Sequence, residues 1–537
     1  MVRSQIHSLI TGAIREKFGG VIMPEFSVSP SENPEHGDYA TNAALVLAKV
    51  VKKNPMEIAG AIASSLDLHP FAFSKVAVAP PGFINFRLSD GILHEEFNKI
   101  FNKKLLRLNL DNIGCEKINI EFISANPTGP LTLGNGRGAF LGDVLSRILK
   151  FAGHRVACEY YINDARASTQ IQELGRAILR KGDAYPGSVT DEVRERLKKK
   201  YLTLEKMNED DVGYCAAQEM QKDNRAFIEK VLKIKFNKWY SEEKLYRNRF
   251  VKKLVKELEE RGALYEKDGA LWFRASQFGD SQDRVALRTG GAATYFLPDV
   301  AYHREKLTKR KFDRVIDIWG ADHHGTLPRL LAGLKALGLD AEKVHTIFIQ
   351  IVRLTRGGKE VRMSKRKGEY VTLEALVKEV GLDAARYFFL EKSSDTHMDF
   401  DLDLAKERSA KNPVYYIQYA HARIASILHK ARNGGSRAYR LPRATPSLLK
   451  EKEETDLIKK LIQFPEIVED AARDYQVHRL PRYAFELARL FHDFYERHRV
   501  ITEDKELTEA RLALIAGTQI VLKNVLGLMG IDSPDKM

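Results

Sequence analysis

At 537 residues the chain exceeds the size at which one hydrophobic core keeps growing, so three or four domains are expected. Its 3 cysteines, Cys115, Cys158 and Cys215, are too few and too scattered for a disulfide framework or a four-ligand zinc site, which favours a reducing, cytoplasmic setting. No apolar signal core follows Met1 and no run of about 18 uninterrupted apolar residues occurs, so neither secretion nor a membrane span is expected. The formal charge of +14, from 86 Lys and Arg against 72 Asp and Glu, suffices to steer a polyanion, without separating RNA from DNA or from a merely basic surface.

In chain order, residues 1 to about 110 predict a small α+β unit. Helical periodicity runs from Ile6 to Phe18, a polar loop from Ser29 to Asp38 and an Ala-rich helix from Asn42 to Val51. Lys75 to Phe86 (KVAVAPPGFINF) predicts strand, turn, strand about Pro80-Pro81-Gly82, and Leu88 to Leu106 resumes a helical pattern. From 116 the character changes. Ile118, Ile120 and Phe122 alternate with Asn119 and Glu121 as on a strand, Phe140 to Leu149 have helical period, and Arg155 to Ile162 form a second strand. Strand, loop, helix, strand opens a parallel α/β layer whose ligands sit beyond the carboxyl ends of the strands. Residues about 171 to 270 predict an inserted, mostly helical stretch. Leu271 to Phe273, Asp313 to Ile318 and Val344 to Leu354 then supply strands for the same sheet, and residues from about 405 carry only helical signals, as in a bundle. The polar segment Ala431 to Ser447 predicts a long loop within it.

Four segments could carry chemistry. The run Glu121 to Gly138 places Gly134, Gly136 and Gly138 where a strand hands over to a helix. That arrangement lets a flat ligand approach the backbone while the helix N-terminus faces a phosphate, and it is equally compatible with a tight crossover. Arg356, Lys359, Arg362 and the run Lys365-Arg366-Lys367 make a glycine-bounded basic loop able to neutralise charge on a triphosphate, or simply to face solvent. In Asp322-His323-His324 the adjacent histidines would diverge, which points to a ligand-facing or structural loop rather than a tight metal site. Tyr295 and Asp299, four apart, would present a ring and a carboxylate together on a helix. With Glu121 and Asn126 they predict an acidic pocket suited to a guanidinium, against the plainer reading of Asp299 as a helix cap.

SANPTGPLTLGNGRG at 124 to 138, YFLPDVAYH at 295 to 303, WGADHHG at 319 to 325, VRMSKRKG at 361 to 368 and VTLEALVKEVGLDAARYF at 371 to 388 together resemble, in order, the bacterial arginyl-tRNA synthetases of class I. HGDYATNAA at 36 to 44, PPGFINF at 80 to 86 and the ending TQIVLKNVLGLMGIDSPDKM at 518 to 537 extend the resemblance across nearly the whole chain. The resemblance implies an α/β Rossmann-type catalytic domain over 111 to 404, including the insertion, an α+β N-terminal tRNA-contacting domain over 1 to 110, and an all-α anticodon-binding domain over 405 to 537. It implies ATP-dependent activation of L-arginine and its transfer to the terminal ribose of a cognate tRNA, with ATP as substrate, Mg2+, no DNA, no membrane and a monomer. It carries ATP binding to Pro130, Thr132, Gly134, Asn135, Arg362, Met363 and Lys365, and arginine binding to Glu121, Ser124, Asn126, Tyr295, Asp299 and His323, with Tyr302, His303 and the His323-His324 loop bordering the amino-acid and ribose sites. Catalytic roles fall to Thr132, Asn135, Lys365 and Arg366, with no resident metal ligand. The departure lies in Thr132 and Asn135, which stand where the family's His-x-Gly-His signature has its two imidazoles; they can donate hydrogen bonds but cannot become cationic. The same departure motivates the alternative of a synthetase-derived protein that binds tRNA or nucleotide without catalysis.

Overall fold

The computed structural model describes residues 1–31, 33–66, 72–101, 115–361, 371–433 and 446–537. The N-terminal unit comprises helix α1 (Val2–Lys17), strands β1 (Val28–Pro30) and β2 (Tyr39–Thr41), helices α2 (Ala43–Val51) and α3 (Pro55–Leu66), the hairpin β3 (Phe73–Ala79) and β4 (Phe83–Leu88), and α4 (Asp90–Lys99). Helix α1 buries Val2, Ile6, Ile10, Ala13 and Ile14, the stripe its periodicity predicts. The stretch expected as a polar loop holds β1 and the lead into β2, and the two complete an antiparallel sheet in the order β1-β2-β4-β3. Strands of three residues are too short to show alternation.

The next strands and helices are β5 (Lys117–Glu121), α5 (Leu133–Phe151), β6 (Arg155–Ile162), α6 (Thr169–Ile178), α7 (Gly187–Lys200), α8 (Glu209–Ala226), β7 (Lys238–Ser241), α9 (Glu243–Arg247) and α10 (Phe250–Glu260). They are followed by β8 (Leu264–Lys267), β9 (Ala270–Phe273), β10 (Arg284–Leu287), α11 (Phe296–Arg304), β11 (Arg314–Gly320), α12 (Thr326–Ala336) and β12 (Val344–Ile349). Five strands form a parallel sheet in the order β12-β11-β5-β6-β7. The chain runs outward from β5 to β7 and then returns to lay β11 on the other side of β5, so the strand order reverses between β5 and β11. Ligands bind beyond the carboxyl ends at such a reversal. Two expectations are corrected. Leu271 to Phe273 belong to a separate antiparallel sheet, β10-β9-β8, and the fifth parallel strand, β7, lies inside the stretch taken as a helical insertion. Four residues with no alternating pattern gave β7 no signature of its own.

Val344 to Leu354, expected as one strand, is broken: β12 ends at Ile349, and β13 (Val352–Arg356) joins β14 (Lys359–Glu360) and β15 (Met398–Asp401) in a further small sheet. Helices α13 (Leu373–Val380) and α14 (Leu382–Leu390) precede β15, and α15 (Leu402–Lys406) follows it. The bundle is α16 (Pro413–Asn433), α17 (Lys452–Ile462), α18 (Phe464–Asp474), α19 (Arg479–Arg497) and α20 (Lys505–Met529), with the expected break at Pro465 falling between α17 and α18. The long loop expected there lies mostly outside the described residues. Among the described helices, α20 alone is long and apolar enough to cross a membrane, and 72% of its apolar stretch is buried inside the protein.

The N-terminal unit docks on the bundle. Arg3 donates to both carboxylate oxygens of Asp470 at 2.5 and 2.8 Å, and the Arg3 backbone N–H and the Tyr39 hydroxyl donate to Glu466 at 2.8 and 2.9 Å. One apolar cluster runs unbroken from Val2 through Ile120 and Phe140 to Val525, joining the N-terminal unit, one face of the parallel sheet and the bundle.

The two faces of that sheet differ. Ile118, Ile120, Tyr160, Ile316 and Ile318 enter the shared cluster. The alternate positions Asn119, Glu121, Glu159 and Asp317 are polar and yet buried. Alternation of this kind ordinarily marks a half-solvated strand. Here the polar face is roofed by α11 and the π-helical turn Glu305–Lys309, which lower Lys306 into it.

Candidate functional site

Beyond β5 the chain makes a γ-turn: Ser124 N–H donates to the Phe122 carbonyl at 3.0 Å across Ile123, whose φ of 66° is unusual for a β-branched residue. Ser124 follows at φ 38°, and its Oγ accepts from Tyr161 N–H at 3.1 Å. Backbone held in the left-handed region at a strand's carboxyl end is strain of the kind that clusters at functional sites. The turn leads to Asn126, exposed, with Oδ1 accepting from Asn163 at 3.0 Å, and on through exposed Pro130 to the start of α5.

At that start Thr132 and Asn135 bond to one another. Asn135 Oδ1 accepts from the Thr132 backbone N–H at 2.9 Å and from the Thr132 hydroxyl at 3.0 Å. The pair therefore caps α5, leaving the helix N-terminus and its partial positive charge at an exposed Gly134. Only Gly134 of the three glycines stands open. A Cβ on Gly136 would come within 2.6 Å of Leu373, and one on Gly138 within 3.2 Å of Ile349, so these two serve close packing and not ligand approach, which corrects the reading of the three as one ligand-facing set. Thr132 also bridges Thr372, and Leu373 N–H donates to the Leu131 carbonyl at 2.9 Å. Residues 362 to 370, with Arg362, Met363, Lys365 and Arg366, lie outside the described residues, but the chain resumes beside the α5 cap. Of the loop's other cations, Arg356 pairs with Glu379 at 2.6 Å and Lys359 is exposed.

Two kinds of carboxylate gather about the sheet: Glu121 at the end of β5 with Glu159 of β6 and Asp317 of β11 in register beside it, and Asp299 of α11 with Glu242 on the turn after β7. Glu121, Glu159 and Asp317 are ion-paired. Lys306 Nζ, fully buried, donates to Glu121 Oε2 at 2.8 Å and to Asp317 Oδ1 at 3.1 Å. Arg310 and Tyr302 donate to Glu159 Oε1 at 2.8 and 2.9 Å. His303 Nε2 lies 2.8 Å from Asp317 Oδ2, and its Nδ1 lies 2.8 Å from the Asp299 carbonyl oxygen. Tyr302 and His303, expected at the border of the amino-acid and ribose sites, are both buried.

Asp299 and Glu242 are different. Asp299 is half-buried in the first turn of α11, with Tyr295 one turn before it and 58% exposed. Glu242, nearly buried, sits on the turn after β7, its N–H bonded to the Ile162 carbonyl at 3.0 Å. Asp164 holds that turn by accepting from Ser241 Oγ at 2.8 Å and Glu243 N–H at 3.1 Å. Among the described residues neither Asp299 nor Glu242 carries a side-chain hydrogen bond or an ion pair. Burial, then the neighbouring charges, push the Glu242 carboxyl up to about 8, with Asp299 the largest of those charges. Burial likewise raises Asp299 to about 7, which His303 moderates and Glu121 reinforces. Two acids that resist ionisation beside each other form a seat for a cation that would ionise both.

The structure thus brings Glu121, Ser124, Tyr295 and Asp299 to one end of the sheet with the capped start of α5. It gives Glu121 a lysine partner already. His323 follows β11 on a short turn, 58% exposed and 3.8 Å from Asp322, while His324 turns away to stack on Phe348 at 3.7 Å. Reading from sequence missed Glu242. A lone acid in a run of charged residues, after a strand that was itself not legible, carries no local signal.

A concavity of about 320 Å³ lies between α16 and α19 and is lined by Tyr415, Tyr416, Tyr419 and His492 with Ala410 and Glu496. The Arg423 guanidinium lies over the rings of Tyr419 and Tyr495, at 5.2 and 5.5 Å from their centres.

Residues 4–88 match the arginyl tRNA synthetase N terminal domain, 188–428 the catalytic domain of class I (R) tRNA synthetases, and 417–537 the DALR anticodon binding domain. The chain is 43% identical to an arginine–tRNA ligase of Desulforamulus reducens, over 98% of its own length and 97% of the relative's. The chain belongs to the arginyl-tRNA synthetase family. Another arginine–tRNA ligase of the family, from Desulforudis audaxviator, is also 43% identical, over 100% of this chain and 99% of its own. A solved structure described as a putative arginyl-tRNA synthetase from Campylobacter jejuni aligns with a TM-score of 0.73 at 32% identity, covering 84% of this chain and 100% of its own. The Thermus thermophilus arginyl-tRNA synthetase shares the fold over both whole chains, with a TM-score of 0.81 at 22% identity.

Proposed function

We propose that this enzyme activates L-arginine with ATP and transfers it to the terminal ribose of a cognate tRNA. The unpaired acids Asp299 and Glu242 carry the reading, Glu242 on the turn after β7 and Asp299 near enough to raise it, on the parallel sheet whose strand β5 leads to the N-terminus of α5. Arginine's guanidinium docks between the two carboxylates, whose oxygens match its fork of donors. Tyr295 closes over the side chain from the start of α11. Glu121, already held by Lys306, offers its remaining oxygen at the pocket floor, while Ser124 and Asn126 face the amino-acid backbone and His323 borders it.

ATP lies against Pro130, Thr132, Gly134 and Asn135, with its phosphates toward the α5 N-terminus. Magnesium enters as part of the nucleotide substrate; among the described residues no three His, Cys, Asp or Glu gather to hold an ion of their own. The arginine carboxylate attacks the α-phosphorus, a C–O–P linkage forms and pyrophosphate leaves. Arg362, Met363, Lys365 and Arg366 meet the departing phosphates. A ribose hydroxyl at the tRNA end then attacks the arginyl carbonyl, forming the ester and expelling AMP. Positioning and electrostatics supply the acceleration, because no side chain need form a bond to substrate.

The groove of Tyr415, Tyr416 and Tyr419 with Arg423 suits unpaired tRNA bases, which stack on aromatic faces irrespective of sequence. The net charge of +14 favours the tRNA backbone. The enzyme works as a cytoplasmic monomer. Aminoacylation with purified tRNA, magnesium ATP and each amino acid in turn tests the reading: arginine alone should charge. Absence of charging by arginine, with tRNA and ATP still bound, sinks the catalytic reading and leaves a tRNA- or nucleotide-binding protein.

A further inference from the structure

The hydrogen bonds beneath Asp299 impose a proton count on His303. Its Nδ1 faces the Asp299 carbonyl oxygen at 2.8 Å and its Nε2 faces Asp317 Oδ2 at 2.8 Å. A carbonyl oxygen has no proton to give. Neither has Asp317, whose other oxygen accepts from the Lys306 ammonium at 3.1 Å. A neutral imidazole would turn a lone pair toward one of these acceptors; only a ring protonated on both nitrogens satisfies both. From Lys306 the chain of bonds continues to Glu121, so an unbroken run leads from the Asp299 backbone through His303, Asp317 and Lys306 to the end of β5. His303 and Lys306 stand one turn apart on α11 and its π-helical continuation, the element that also carries Asp299.

We infer that His303 is held as an imidazolium at neutral pH and is a positioning residue: it fixes the turn of α11 that presents Asp299, and so sets the affinity for arginine. The inference rests on Asp299 being a guanidinium partner. The groups facing the ring are Asp317 from β11, Glu121 from β5, Lys306 from the π-helical turn, and Asp299 and the edge of Tyr302 on its own helix, with Arg329 of α12 acting on Asp299. Burial draws the imidazole down, and Asp317, aided by Glu121, outweighs both that and the repulsion from Lys306, so the ring titrates above its ordinary 6.5. Below that raised value the bond to Asp299 is intact. As pH rises through it, one of the two bonds is lost and the turn loosens.

Nitrogen-15 NMR of histidine-labelled enzyme, with His303 assigned by comparison with His303→Gln, reads the ring directly. Both nitrogens should show protonated shifts at pH 7.5; a neutral tautomer there overturns the inference. In aminoacylation, His303→Gln should raise the arginine KM about tenfold at pH 7, the scale of one charge-assisted contact, with the KM for ATP within about twofold. The variant should also shift the acid limb of the arginine KM profile to higher pH, because Asp299 loses a neighbouring cation, and should abolish the alkaline limb. An unchanged arginine KM and pH profile in a variant with wild-type thermal stability overturns the positioning role. Asp299→Asn, assayed alongside, separates the premises: if it leaves the arginine KM unchanged, the guanidinium reading fails whatever His303 does. Should His303→Gln not fold, the wild-type NMR measurement still decides the protonation on which the inference stands.

Discussion

Two sets of carboxylates lie on or beside the parallel sheet and behave oppositely. Glu121, Glu159 and Asp317 each have a cation within hydrogen-bond distance: buried Lys306 and His303 for the first and last, half-buried Arg310 for Glu159. Lys306 and His303 outweigh burial to hold Asp317 down at about 2, and Arg310 outweighs it at Glu159. Asp299 and Glu242 rise to about 7 and about 8: burial is the main cause at both, offset only in part at Asp299 by His303 and Arg329, and reinforced at Glu242 by the charges of Asp299, Asp164 and Glu243. A buried charge with a partner is architecture. One left without a partner is a standing cost, removed only when a cation of the right shape arrives. The difference marks where the protein has left its own charge unbalanced, the place proposed for the guanidinium of arginine.

The comparison breaks most readily at Lys306. Lys306→Met strands Glu121 and Asp317 in the core and should lower stability by about 3 to 5 kcal/mol in urea denaturation, with partial recovery on adding Asp317→Asn. A loss below about 1 kcal/mol would mean that the paired set is not held by its cation. Next in size are the unpaired acids. Asp299→Ala and Glu242→Gln should each cut kcat/KM for arginine roughly 30-fold or more, the scale of truncating one side of a buried charge pair, with the KM for ATP nearly unchanged. Equal losses for both substrates would remove these residues from the guanidinium pocket.

The titration of the pair sharpens the contrast further. Both acids are largely protonated in the free enzyme below about 7 and must ionise to hold a guanidinium, so arginine binding should release protons near neutral pH and tighten as pH rises toward 8. Calorimetry in buffers of different ionisation enthalpy counts those protons, and zero release at pH 6.5 contradicts the pairing. The same shifts bear on stability. An unfolded chain ionises these carboxyls near 4, so the folded state binds extra protons from there up to about 7 or 8, and this pair's contribution falls across that window as pH rises. The smallest effect concerns the α5 cap: Asn135→Ala should cost about 1 kcal/mol, as for other lost helix caps. Histidine at both 132 and 135 should change the arginylation rate little at saturating ATP; a large gain would mean that the Thr132–Asn135 pair has not replaced what the imidazoles do.

Composition, periodicity and the ordered motifs determined the fold class, the helical C-terminal bundle, the helical spacing of Tyr295 and Asp299, and the family itself. Such features are local. Helical and strand periods, turn residues and contiguous segments are written within a few residues of one another, and α1 and the break at Pro465 emerged much as their patterns predict. Tertiary structure decided the rest. Four residues of β7 became a sheet strand because β6 offered an edge, Gly136 and Gly138 turned from ligand approach to packing against Leu373 and Ile349, and Glu242 gained meaning only opposite Asp299. The alternation of Ile118, Asn119, Ile120 and Glu121 announced a strand but not that its polar side would be sealed under Lys306, 185 residues from Glu121 along the chain. Whether a carboxylate is paired or free depends on which charges folding brings within a few ångströms, and Coulomb energy varies with that distance and its dielectric surroundings, not with separation in sequence.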